Sequence, residues 1–170
     1  MKKTLRLISA ILILALLAFS FAACEKEEIE DNTPKTEESN VIEVGNQNSG
    51  KVMKLVIGGT SEKIYSVDFS GIEITEGAMS VVKHLATLGK LTYKADATGY
   101  LTEIGDLKMD QATATYIFLW TSVEKDFDVS EWATTKEWDG KTLTSSGLGI
   151  SDMTVENGAV IYVGTVSYGA

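Results

Sequence analysis

The stretch TATYIFLWTSV, residues 113–123, decides how this chain is read. β-branched and aromatic side chains fill it, and they suit a buried, pleated strand. Its centre, Tyr116-Ile117-Phe118-Leu119-Trp120, is apolar at both parities, so this strand needs cover on both faces. One face can pack on a helix. The other must meet a second sheet, a partner or a flat apolar ligand.

On either side of this stretch, short β-rich runs alternate with Gly and Asp. Val52 to Ile57 is an apolar run ended by Gly58-Gly59, and Lys63 to Phe69 alternates, with Tyr65, Val67 and Phe69 on one face. Thr75 is placed to cap a helix that Gly89 ends. Ala78, Met79, Val82, Leu85 and Ala86 share one side of it, and His84 falls opposite, toward solvent. Lys90 to Ala95 and Gly99 to Ile104 read as strands. Trp132 to Trp138 and Lys141 to Thr144 flank Asp139-Gly140, a dipeptide suited to a type I′ hairpin turn. Trp132 and Trp138 share a parity and so one strand face. Ala159 to Tyr168 is the last strand. Strands on either side of one helix predict an α+β fold with mainly antiparallel pairing.

The first 48 residues differ in kind. Lys2, Lys3 and Arg6 precede an apolar run from Leu7 to Ala23, whose 17 residues would span about 25 Å as a helix, short of a bilayer core. Residues 1–23 therefore read as a signal peptide. Phe21-Ala22-Ala23-Cys24 resembles the lipobox of bacterial lipoproteins, in which cleavage before the Cys precedes its acylation. Cys24, the only Cys of the chain, is the expected lipidation site. Residues 24–48 are rich in acids, hold the only Pro, and read as a disordered tether. The domain is expected at 49–170, facing the extracytoplasmic side of a bacterial membrane.

Charge excludes much. Across 170 residues, 24 acids face 15 basic residues, and without residues 1–23 the balance is 12 Lys to 24 acids, with no Arg. Such a surface repels phosphate backbones, so nucleic acid is not an expected partner. The single Cys and single His leave no disulfide framework and no zinc cluster. GxSxG, HExxH and P-loop motifs are absent, and no hydroxyl has an evident base. Glu103, Asp106 and Asp110 lack calcium-loop spacing and read as a solvated acidic edge. No enzyme and no metal are expected.

Several segments, taken in order, resemble one family. These are TEGAMSVVKHLATLG (75–89), LTYKADATGYLTEIGDL (91–107), YIFLWTSV (116–123) and EWDGKTLTSSGLGISDMTVENGAVIYVGTVSY (137–168). Together they resemble the transcobalamin-like C-terminal domain of bacterial surface proteins, similar to the β-domain of intrinsic factor and transcobalamin. Two departures stand out: Ile104-Gly105-Asp106 replaces the frequent Ile-Asn-Gly, and Ile117 takes the place of a Trp after Tyr. The resemblance implies an α+β domain of two small, mainly antiparallel sheets and one helix. It also implies a bound ligand, cobalamin or a similar corrinoid, covered on one side only, held weakly by this domain alone or with a transporter or surface protein completing the site. No other cofactor is expected. The residues expected to meet the ligand are Tyr100, Phe118, Trp120, Trp132 and Trp138. The alternative is a structural or adhesive surface domain that binds a protein or a cell-wall polymer.

Overall fold

A strand buried on both faces along its first half organises the computed structural model, which describes residues 40–168. In chain order the elements are Val41–Val44 (β1), Val52–Ile57 (β2), Lys63–Asp68 (β3), Gly77–Thr87 (α1), Tyr93–Ala95 (β4), Leu101–Ile104 (β5) and Leu107–Lys108 (β6). Thr115–Thr121 (β7), Thr135–Trp138 (β8), Lys141–Ser145 (β9) and Val160–Ser167 (β10) follow. The leader, Cys24 and most of the expected tether lie outside the described residues.

β10 sits at the centre of a seven-stranded sheet ordered β1-β3-β2-β10-β7-β9-β8. It runs parallel to β2 and antiparallel to β7, from Ile161 opposite Thr121 to Ser167 opposite Thr115. β1 and β3 are also parallel. A separate antiparallel sheet holds β4, β5 and β6. The expectation of an α+β fold with two small, mainly antiparallel sheets is therefore overturned. The protein is mostly β, with one large mixed sheet, one small sheet and one helix. The physical reason is β10: its Val160–Val163 run is buried on both faces, and it joins β2 and β7, far apart in sequence, into one sheet.

β1 lies within the stretch 24–48 expected as a disordered tether. Val41–Val44 pairs with Ile64–Val67, and Val44 is buried in the core. Four residues with Glu43 among them, set between polar stretches, carry no strand signal by themselves; pairing to β3 supplies it.

Each face of the large sheet has its own core. Met53, Leu55 and Ile57 of β2, Ile117 of β7 and Ile161 and Val163 of β10 point toward Val81, Val82 and Leu85 of α1, and Leu101 and Ile104 of the small sheet close the same layer. The opposite face carries Val56, Trp120, Leu143, Val160, Tyr162 and Trp138. It is covered by the β8–β9 hairpin curling back over the sheet. β9 meets β7 only at Trp120 and Thr121, yet Trp138 donates its indole N–H to Glu62 at 2.9 Å and Asp139 pairs with Lys54 of β2 at 3.3 Å. Asp139 and Gly140 both have positive φ, which fits the expected type I′ turn.

The helix begins at Gly77 rather than after a Thr75 cap. Its first amides are taken by a loop instead: Ala78 donates to the Met153 carbonyl and Met79 to that of Ile150. A Cβ at Gly77 would lie 2.5 Å from the Met153 oxygen, and φ is +43°. Only glycine fits there. This contact fixes the 150–153 loop to the helix and so positions the site described next.

Candidate functional site

β9 pairs with β7 only at Thr121 and Trp120, and among the described residues the edge of β7 from Ile117 to Leu119 has no neighbouring strand. A cleft of about 430 Å³ opens there. Its floor is Ile117, Phe118 and Leu119; one wall is Thr98–Leu101, and the other is the glycine-rich loop 146–152. That volume lies in the range of roughly 300–1,000 Å³ usual for small-molecule sites.

Both walls are braced from behind. Asp96 accepts hydrogen bonds from the Thr98 hydroxyl and from the Thr98 and Tyr100 amides, at 2.6, 2.8 and 3.1 Å. Those bonds hold its carboxyl below the usual carboxylate range. On the other wall, the Ser146 amide donates to the Leu119 carbonyl at 2.8 Å, and Gly147 to that of Asp126 at 3.0 Å. The buried Asp126 carboxylate in turn takes the Thr154 amide and hydroxyl, at 2.7 and 2.9 Å. The Tyr100 ring is part exposed, while its hydroxyl donates to the Ile117 carbonyl at 2.8 Å. Burial pushes that phenol's pKa up.

The five residues expected at a ligand surface separate into three groups. Tyr100 and Phe118 line the cleft. Trp120 and Trp138 do not: they belong to the core under the hairpin, each 8% exposed. Trp120 packs edge-on against Tyr162, and its N–H donates to the Thr134 hydroxyl. Lys136 covers both rings, 5.7 Å from the Trp120 centroid and 4.3 Å from that of Tyr162. Trp132 is 78% exposed but outside both the cleft and the strand, since β8 starts only at Thr135. The shared parity of Trp132 and Trp138 therefore does not put them on one face. Hydrogen bonds from the Ser130 amide to Asp128 and from the Trp132 amide to Ser130 make a turn where alternation predicted a strand.

The loop 146–152 was missed as part of a site. Its signal was Ser145-Ser146-Gly147-Leu148-Gly149-Ile150, where small residues bracket two large apolar ones.

The acids considered as a cluster are separately employed. Glu103 pairs with Lys94 and Lys108, Asp106 accepts the Thr60 amide, and Asp110 accepts that of Ala112. Among the described residues no group of three His, Cys, Asp or Glu is placed to hold a metal ion. His84 is half-buried on α1 and is not among the residues lining the cleft.

No known family model matches the chain, and no curated protein matches it.

Proposed function

We propose that this protein is a lipid-anchored, extracytoplasmic binding module whose site is the cleft between β5, the edge of β7 and the loop 146–152. The observation that carries the reading is that cleft: an apolar floor, glycine-rich walls braced by Asp96 and Asp126, and a position where a sheet edge is left open. The lining holds no nucleophile–base pair, and Asp152 is its one carboxylate, which suits holding a molecule rather than transforming it. Cys24 is the proposed anchor.

The ligand proposed is a corrinoid or a similar amphipathic small molecule. A cleft of about 430 Å³ covers only part of so large a body, so the domain alone is a half-site, and a transporter component or surface protein completes the enclosure. The test is titration of the 38–170 segment, one compact unit containing both cores, with cyanocobalamin, followed by corrin absorption. Saturable spectral change that Leu148→Lys abolishes supports the reading. No change at high micromolar ligand rejects corrinoid binding by this domain.

A second reading, an adhesive surface domain, has one observation in its favour. Val129 and Trp132 are 97% and 78% exposed on a loop fastened at both ends, Asp128 to the Ser145 carbonyl and Thr134 to the Ser145 hydroxyl. A rigid, exposed tryptophan is a common anchor in protein interfaces. Loss of a partner on Trp132→Ala with an intact cleft would favour it.

A further inference from the structure

The edge of β7 that forms the cleft floor is unequal in its hydrogen-bonding capacity. In this strand the odd-numbered residues turn their backbone groups away from β10. The carbonyls of Ile117 and Leu119 are already occupied, by the Tyr100 hydroxyl and the Ser146 amide, both at 2.8 Å. The N–H groups of the same two residues point the same way, and no acceptor meets them among the described residues. Two carbonyls of the facing loop are occupied too, that of Gly149 by the Asp152 amide and that of Ile150 by the Met79 amide, and the Ser146 hydroxyl lies 3.0 Å from that of Leu148. The floor thus offers donors in apolar surroundings. A ligand acceptor that reaches these amides gains a hydrogen bond in apolar surroundings beside buried Ile117.

Charge narrows the class. Residues 40–168 carry 17 acids against 10 lysines, and the one charged residue lining the cleft is Asp152. An anion would have the right acceptors but the wrong sign. A peptide strand would have to bury N–H groups opposite carbonyls that already hold a partner.

We infer that the cleft selects neutral ligands that present carbonyl acceptors on an apolar body, read by the amides of Ile117 and Leu119, and rejects carboxylates of the same shape. The inference rests on the cleft being the ligand site, and it deepens that reading by naming the chemistry. Successive donors on one strand edge lie two residues apart, about 7 Å, so a ligand with two carbonyls at that separation engages both.

The test uses three probes of one shape on the 38–170 segment: N,N-dimethylcyclohexanecarboxamide, N-methylcyclohexanecarboxamide and cyclohexanecarboxylate. Amide proton and nitrogen shifts are followed by NMR. The tertiary amide should move the Ile117 or Leu119 amide proton downfield and bind roughly tenfold tighter than the carboxylate. Equal or tighter carboxylate binding overturns the inference. So do shifts at Leu148 and Ile150 with none at either β7 amide, although these leave the cleft standing as a site. If no probe shifts any cleft residue, the cleft reading falls as well. Tyr100→Phe supplies the independent arm, because it frees the Ile117 carbonyl. The secondary amide, which can donate, should then gain on the tertiary one by several-fold; an unchanged ratio contradicts the assignment.

Discussion

Trp120 is held by what surrounds it. Tyr162 meets it edge-on, Phe118 lies 4.8 Å away between ring centroids, and Lys136 covers its face. Gly164 on the neighbouring strand leaves room for the ring, since a Cβ there would come within 3.2 Å of it. Trp120→Ala should therefore cost about 3–5 kcal/mol in urea unfolding, as a buried aromatic does, and leave ligand affinity of the folded fraction unchanged. A weakened affinity without lost stability would return Trp120 to the binding surface. Amides of Ser70 and Asn46 and the Ser49 hydroxyl donate to Asp68, at 2.9, 3.0 and 2.7 Å, and they hold its carboxyl well below the usual range. Because the folded pKa is depressed, its contribution to stability is full above the unfolded value of about 3.9 and is lost as pH falls through the folded one. The stability gap between the native chain and Asp68→Asn should be constant near neutrality and shrink below about pH 4. A gap that grows with acid would contradict this.

Among the elements, the contact between α1 and the 150–153 loop links folding to the site. Gly77→Ala would force a methyl against the Met153 and Ser151 carbonyls at a positive φ. A cost of about 1–3 kcal/mol is expected, together with weaker ligand binding, because the same loop carries Ile150 and Ser151 into the cleft. Preserved binding at reduced stability would show that the loop does not depend on the helix. The strands themselves were largely legible. Val52–Ile57 stands as read, and β7 lies within the stretch predicted for it because its residues favour a pleated surface wherever they sit. What failed was alternation near polar turns. In Trp132–Trp138, Asp128 and Ser130 bend the backbone before the strand begins, and no periodicity count registers a side chain that bonds to its own main chain. Leu107–Lys108 is too short to announce itself and exists by pairing with β5.

At the scale of the whole molecule, pairing order was the part hidden from sequence. β10 is written last yet lies between β2 and β7, so the sheet is assembled from contacts a hundred residues apart, and local pattern carries no record of them. The aromatic surplus was legible, but its destination was not. A hairpin that curls over the second face gives Trp120 and Trp138 a core of their own, and the cleft arises instead where β9 departs from β7. Tyr100 and Phe118 could be picked out from their residue type; the loop 146–152 could not, because its role depends on being fastened to a helix seventy residues earlier. The claim on which the functional account turns is that this gap in the sheet is where a ligand enters. The most direct measurement is an amide shift map of the 38–170 segment titrated with cyanocobalamin. The account predicts saturable shifts confined to Tyr100, Leu101, Ile117, Leu119 and residues 146–152. Shifts centred on Val129 and Trp132, or none at all, would contradict it.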